Sequence, residues 1–229
     1  MNGEGKQFLK NSRIYFPKDR LLIKEKGGLK ISLEDYPGID RMMRNSEDLR
    51  IALEILPRLY QDRRRVSGRL FIRHCLETAE VASLYTSDSW HLIVAIYHDL
   101  MEDMGVSFET LKEIAGCHGE KVANTVVVLS KKGNFKNKKD RNQEYMVRIA
   151  KAIEEDPSVG IVKLSDRRSN LTDIQSLPTA RRLRIARQTI DFYVPIALRL
   201  NLWELARQLI DLSIPHAAPN QEESIWREI

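Results

Sequence analysis

The sequence contains no long apolar segment. No run of apolar residues approaches the ~20 that a helix needs to span a bilayer. The first residues, MNGEGKQFLKNSR, lack the apolar stretch that secretory signals carry. These absences argue against a membrane protein and against an exported one, so a cytoplasmic location is the prediction.

Cysteines and aromatic residues are also scarce. The two cysteines, Cys75 and Cys117, match neither a disulfide framework nor a thiolate metal motif. Aromatic residues make up 7% of the chain, and its net charge is only +5. Lysine and arginine form no compact stripe interleaved with aromatics, so nucleic acid is not the expected partner. A small anionic ligand suits the mild positive charge better.

The composition is that of a globular domain with a substantial core. The 229 residues are 42% hydrophobic and 30% charged, without an internal repeat or a long linker. We predict an N-terminal extension over residues 1–45, one main domain over 46–214 and a C-terminal tail over 215–229.

Local patterns predict a mainly α fold with a short N-terminal β-hairpin. The stretch RLLIKEKGGLKISLED alternates in part and contains a Gly-Gly turn. Beyond it, apolar residues recur at helical spacing, with Ser46 and Ser107 as expected N-caps and Pro57 as an expected kink or break. A helix is expected from Asp88 or Ser89 to Gly105, whereas EKVANTVVVLSK fits helix and strand equally well.

The stretch HLIVAIYHDLMEDMG joins a core-like segment to a titratable cluster. On a continuous helix, His98 stacks on Glu102 and Asp99 stacks on Asp103. Crowded carboxylates repel one another, and burying an unpaired charge costs several kcal/mol. Either this helix end lies in water or a cation neutralises it.

Two distant residues favour the cation. His74 lies in the middle of the amphipathic helix RLFIRHCLETAEVA, and Asp166 follows the apolar VGIVKL. A mixed set of imidazole and carboxylate ligands suits a borderline divalent ion such as manganese or iron. It suits calcium or a purely thiolate site poorly.

Four stretches, taken together, resemble a known family. RVSGRLFIRH, AIYHDLMEDMG, VKLSDRRSN and DFYVPIALRLNLWELARQLIDL are similar, in order and spacing, to the HD-type hydrolase domain of the RelA/SpoT homologue family, which degrades the alarmone (p)ppGpp. The resemblance covers roughly Ile51 to Leu212. It implies an HD-domain helical bundle and a nucleotide substrate. A small hydrolase without a synthetase domain is the expectation.

The resemblance also implies a role for individual residues. The metal ligands would be His74, His98, Asp99 and Asp166, and the ion manganese(II). Glu102 and Asp103 match the acidic pair that activates and orients the attacking water. The substrate-binding positions would be Arg65 and Ser67 for the base, Asn170 for the ribose side and, more loosely, Lys131 for the phosphates. The expected reaction releases pyrophosphate from the 3′ position and leaves GDP or GTP.

Several positions depart from the family pattern. Val66 stands where a lysine is frequent, Cys75 where a proline is common, and the family's DRLHN appears as DRRSN. No ligand is lost, but Val66 alters the expected base pocket. An HD phosphohydrolase for another nucleotide (ppApp, NADPH or a dNTP) therefore stays an alternative. A nucleotide-binding module without turnover is the third, although the intact HDxxED argues against it.

Several other polar and aromatic residues are expected to have structural or surface roles rather than functional ones. His91, His118 and His216 match no ligand position and are expected to be structural or surface residues. The lysines of loop 131–139 are expected to be solvated, with attraction of phosphates as the alternative. Tyr193 is expected to pack in the core rather than to line a nucleotide pocket.

Overall fold

The structure is a computed structural model that describes residues 22–24, 30–60, 63–131 and 138–217. Within these ranges, no helix combines the length and the hydropathy that crossing a bilayer requires.

The N-terminal part of the described chain contains the strands of the expected hairpin. Strand β1 (Leu22–Lys24) pairs antiparallel with β2 (Lys30–Ser32), and Ile23 lies opposite Ile31. The Gly-Gly turn between them lies outside the described residues. A 3-10 turn follows at once, where the Ser32 side chain accepts a hydrogen bond from the amide of Glu34.

Helices make up nearly all of the rest, which confirms the mainly α fold. In the first half they are α1 (Pro37–Met43), α2 (Glu47–Tyr60), α3 (Phe71–Ala82), α4 (Ser89–Tyr97), α5 (Leu100–Asp103), α6 (Phe108–Ile114) and α7 (Gly119–Leu129). In the second half they are α8 (Lys138–Glu155), α9 (Pro157–Thr172), α10 (Thr179–Gln188), α11 (Val194–Arg199) and α12 (Trp203–Ala217), with a π-helical segment, Thr189–Tyr193, before α11. The ambiguous EKVANTVVVLSK therefore forms a helix.

Local capping chemistry explains where several helices begin. Ser46 accepts a hydrogen bond from the amide of Leu49 (3.2 Å), and Ser107 accepts one from the amide of Thr110 (3.1 Å). Each serine thereby satisfies one of the amides that a first turn leaves without a partner. Both predicted caps are confirmed, whereas Pro57 lies inside α2 and does not break it.

The predicted continuous helix from Ser89 to Gly105 is wrong at one point. Helix α4 ends at Tyr97 and α5 begins at Leu100, so a turn holds His98 and Asp99. The His98 ring donates from Nδ1 to the carbonyl of Ala95 (2.8 Å), an oxygen that a continuous helix would use for a backbone bond. Gly105, with φ of +67°, ends α5 as expected.

Helix α4 is the centre of the core. Its residues from Leu92 to Tyr97 have no exposed surface, because α2, α3, α7 and α9 pack around it. Burying each large apolar side chain contributes about 1.5–3 kcal/mol. The core thus fixes the C-terminal end of α4, and with it the His98–Asp99 turn, against α3 and α9.

Both ends of the predicted main domain adjoin further packed structure. Ile31, Leu33 and Ile39 belong to the same buried core, and the Glu80 carboxylate accepts hydrogen bonds from the amides of Gly38 (2.9 Å) and Ile39 (3.0 Å). Helix α12 continues through Pro215 to Ala217. The division at residues 45 and 215 stays a prediction.

Candidate active site

Four side chains from three parts of the chain converge at the end of α4. His74 comes from α3, His98 and Asp99 from the turn after α4, and Asp166 from α9. The Nε2 atom of His98 lies 3.1 Å from Asp99 Oδ2 and 3.4 Å from Asp166 Oδ1. The Nε2 atom of His74 lies 3.3 Å from both His98 Nε2 and Asp166 Oδ1. All four predicted ligand positions are therefore together.

The donor set fits one divalent metal ion. Nitrogen and oxygen ligands about 2.0–2.2 Å from one ion lie roughly 3–3.5 Å from each other. The separations between the two histidines, and from each histidine to Asp99 and Asp166, are 3.1–3.6 Å. Two imidazoles with two carboxylates suit a borderline divalent ion. The geometry supports a metal centre without selecting the element.

Hydrogen bonds on the far side of each imidazole fix its ligand atom. A carbonyl can only accept, so the bond to Ala95 requires that His98 Nδ1 carry the proton and leaves Nε2 free for a metal. His74 Nδ1 lies 2.9 Å from Ser169 Oγ, which donates to Glu77 Oε2 at 3.1 Å. Ser169 therefore accepts from His74, and both imidazoles present Nε2 to the centre.

Charge at the centre calls for a cation. Burial disfavours the His98 imidazolium, but Asp99 and Asp166 outweigh this and raise the pKa of His98 to about 10. Burial also opposes ionisation of Asp166, yet Lys163 and His98 hold its pKa well below the usual range. The site therefore keeps buried carboxylates ionised, and a divalent cation would take the place of the histidine proton.

Lys163 is a site residue that the sequence analysis missed. Lys163 lies one turn before Asp166 on α9, and its ammonium donates to Asp166 Oδ2 at 2.7 Å. The lysine side chain is buried. The other oxygen, Oδ1, stays directed at the two histidines. A lysine three residues before a candidate ligand on the same helix was the available clue.

The acidic pair lies beside the candidate ligands. Glu102 and Asp103 line the same cavity as Asp99 and Asp166. Glu102 Oε2 accepts a hydrogen bond from the backbone amide of Lys131 at 3.0 Å, which holds the carboxylate in place. Burial, followed by repulsion from Asp99 and Glu102, raises the pKa of Asp103. Carboxyl groups in such surroundings are suited to exchanging protons with a reacting group.

The metal centre opens into a cationic cleft of about 430 Å³. The predicted substrate-binding residues Arg65, Ser67, Lys131 and Asn170 all line it. The other cationic side chains of its wall are Arg63, Arg64, Lys163, Arg167, Arg181 and Arg184. Eight cationic side chains thus face five carboxylates in the wall (Asp99, Glu102, Asp103, Asp166 and Asp173), and this positive excess suits a ligand with several negative charges.

Asn170 connects the cleft to the metal centre. Arg65 donates from Nη2 to Asn170 Oδ1, and Asn170 donates from Nδ2 to Asp166 Oδ1. The Arg65 Nε atom also lies 3.2 Å from Asp173 Oδ2. Val66, by contrast, is 78% exposed at the edge of the cleft, and its hydrocarbon side chain can make no hydrogen bond there. The roles in base and ribose binding stay predictions.

Tyr193 and His91 lie where their ordinary interpretations place them, whereas Lys131 lines the cleft and is only partly exposed. Tyr193 is buried, with the Arg167 guanidinium 4.1 Å from its ring centre, as expected for a core residue. His91 is buried and bonded to Thr86 Oγ1 at 2.6 Å. Of the lysine-rich loop, residues 132–137 lie outside the described residues, and Lys131 faces the Tyr145 ring at 5.2 Å.

Comparison with known proteins now adds to this geometry. The model of a family described as the HD domain matches residues 52–203, about two thirds of the chain. The chain belongs to the HD domain family. Hydrolases of this family depend on divalent metals, which agrees with the four-residue centre.

The relatives of this HD-domain chain support the narrower resemblance. A guanosine-3′,5′-bis(diphosphate) 3′-pyrophosphohydrolase of Aquifex aeolicus is 30% identical over 84% of this chain and 26% of its own. The bifunctional (p)ppGpp synthase/hydrolase SpoT of Escherichia coli is 30% identical over 76% of this chain and 24% of its own. The chain thus spans about a quarter of the length of these relatives. The resemblance to the RelA/SpoT homologue family is confirmed.

A solved structure shows the same fold. A metazoan ortholog of SpoT, described as hydrolysing ppGpp, superposes with a TM-score of 0.58. The match covers 73% of this chain and 94% of that one at 20% identity. It confirms the HD-domain helical fold.

The Ser169 hydroxyl yields the first testable prediction. Ser169→Ala removes the link between His74 and Glu77, so the imidazole loses its orientation, and metal affinity should fall about 10- to 100-fold. Isothermal titration with manganese measures this. Ser165→Ala is the matched control, because Ser165 lies on the same helix and donates only to the carbonyl of Ile161. If the two variants bind manganese with equal affinity, Ser169 does not orient the His74 ligand.

Proposed function

We propose that this chain hydrolyses the 3′-pyrophosphate of (p)ppGpp, with manganese(II) at the four-residue centre. One molecule of water is consumed, pyrophosphate leaves, and GDP or GTP remains. The observation that carries the proposal is the convergence of His74, His98, Asp99 and Asp166 beside Glu102 and Asp103, at the base of a cationic cleft. The names of the relatives support the substrate class.

The metal would be held by Nε2 of both histidines and by one oxygen each of Asp99 and Asp166. When bound, a divalent ion lowers the pKa of water and neutralises phosphoryl oxygens. Lys163 occupies the second oxygen of Asp166 and so keeps that carboxylate in a single orientation. The hydrogen bond to Ala95 does the same for the His98 ring.

The chain's own carboxylates and cations would perform the remaining steps. Glu102 or Asp103 takes a proton from the attacking water, and one of them returns a proton to a leaving oxygen. Lys131 and Arg167, which both line the cleft, bind the phosphates through charge-assisted hydrogen bonds. Arg65 and Ser67 hold the base, and Asn170 contacts the ribose side.

A second candidate function is the hydrolysis of another 3′-phosphorylated or polyphosphorylated nucleotide. The observation in its favour is Val66, whose exposed side chain offers no hydrogen bond where the family often has a lysine. Guanine recognition would then rest on Arg65 and Ser67 alone. The cleft's charge suits any polyanionic nucleotide, including ppApp, NADPH or dGTP.

One assay separates the candidates. The purified protein is incubated with manganese and, in parallel, with ppGpp, ppApp, NADPH or dGTP, and products are identified by chromatography. We expect pyrophosphate and GDP from ppGpp. Turnover of only another nucleotide would favour the second candidate, and tight binding without any turnover would indicate a binding module.

A further inference from the structure

A second cluster of metal-binding side chains lies outside the cleft. Asp48, in the first turn of α2, meets Cys117 and His118 from the 3-10 turn that precedes α7. The Cys117 thiol donates to Asp48 Oδ2 at 2.5 Å, and His118 Nε2 lies 3.9 Å from the same oxygen. One donor atom of each residue lies within 4.8 Å of the other two. None of the three lines the cleft.

The backbone around Cys117 is shaped to admit the carboxylate. Gly116 has a φ of +64°, in the left-handed region that favours glycine. A Cβ atom at this position would lie 2.6 Å from Asp48 Oδ1, so a side chain there would displace the carboxylate. Glycine therefore both forms the turn and leaves room for Asp48 beside the thiol.

The proton of the Cys117 thiol lies in the hydrogen bond to the Asp48 carboxylate. The hydrogen bond to Asp48 raises the pKa of Cys117, because ionising the thiol would place two negative charges in contact. A divalent cation in place of that proton neutralises both groups. Cys117 is exposed, so the position is open to a metal from solution.

We propose that Asp48, Cys117 and His118 form a second metal site, which binds zinc(II) with water in a fourth position. Zinc binds cysteine sulfur, histidine nitrogen and carboxylate oxygen, and sites with three protein ligands typically hold water in the fourth position. A thiolate disfavours harder ions such as manganese(II), so the two centres differ in preference. Zinc here would tie the start of α2 to the start of α7, the helix that leads to Lys131.

This proposal does not depend on the hydrolase function. The probe is cobalt(II), a spectroscopic substitute for zinc, added to the full metal-stripped chain. We expect a thiolate-to-cobalt charge-transfer band in the near ultraviolet from the wild type and equally from His98→Ala. Cys117→Ser should lose the band while keeping its helical circular dichroism. Displacement of the band by zinc then measures zinc affinity.

Variants of two acidic residues, Asp48 and Glu47, provide a second test in which Cys117 is unchanged. Asp48→Asn retains the thiol but should weaken zinc binding by at least about tenfold. Glu47→Gln is the matched control, since Glu47 lies in the same turn and pairs with Arg50 instead. Absence of the band from the wild type, its persistence in Cys117→Ser, or equal zinc affinity of Asp48→Asn and Glu47→Gln would each overturn the proposal.

Discussion

Replacing His98 by alanine should abolish retention of the metal at the four-residue centre and, with it, the proposed hydrolysis of (p)ppGpp. The Nε2 atom of His98 lies within 3.4 Å of a donor atom of each of the three other ligands, so it occupies the middle of the set. Its loss leaves one imidazole and two mutually repelling carboxylates. Because loss of an outer hydrogen bond alone costs about 10- to 100-fold in affinity, loss of a ligand should exceed that range.

Elemental analysis of dialysed protein measures the effect. His216→Ala is the matched control, because His216 lies on α12 and outside the cleft. Circular dichroism shows whether each variant is folded. An unchanged manganese content in folded His98→Ala would remove His98 from the ligand set, whereas loss of metal in both variants would indicate an effect on the whole fold.

Hydrophobic periodicity predicted the helices that turn one apolar face to the core. Apolar residues at helical spacing marked α2 and α3, a continuous apolar run marked α4, and the caps Ser46 and Ser107 marked two helix starts. The interruption at His98 was not predictable from this pattern. It depends on a side-chain bond to the Ala95 carbonyl, and periodicity carries no information about such bonds.

The resemblance to a family located the candidate ligands, but not the residues that orient them. Ser169 and Glu77 act on His74 through contacts that exist only when α3 and α9 are packed together. Lys163 contacts Asp166 within α9, but its spacing alone did not distinguish a site residue from a surface ion pair. Ser169 stands where the family has a histidine, so the family pattern concealed its contact with His74. Polar partners across a helix interface follow from packing, and a single sequence does not show which pairs meet.

The cluster of Asp48, Cys117 and His118 was even less predictable from the sequence. Cys117 and His118 are adjacent in sequence, yet Cys117 matches no metal motif, and His118 was expected to be a structural or surface residue. Asp48 is 69 positions from Cys117. Only the contact of α2 with the 3-10 turn, together with the space left at Gly116, brings a third donor to the pair.

Replacing Glu102 by glutamine should leave the metal in place and remove most turnover. The four candidate ligand atoms do not include Glu102, and an amide oxygen can still accept the hydrogen bond from the backbone of Lys131. The variant therefore keeps the local geometry but loses the ability to take a proton from water. General acid–base catalysis contributes typically ~10²–10⁴-fold, and we expect kcat to fall within that range.

Steady-state release of pyrophosphate, paired with metal analysis of the same samples, distinguishes this effect from loss of the ion. Glu109→Gln on α6 is the control, since it makes the same change outside the cleft. Asp103→Asn tests the other carboxyl group, whose pKa is raised by burial and by its acidic neighbours. If Glu102→Gln keeps full turnover while Asp103→Asn loses it, Asp103 is the base. Because glutamine can still accept the hydrogen bond from the Lys131 backbone, KM of Glu102→Gln should then also stay close to the wild-type value.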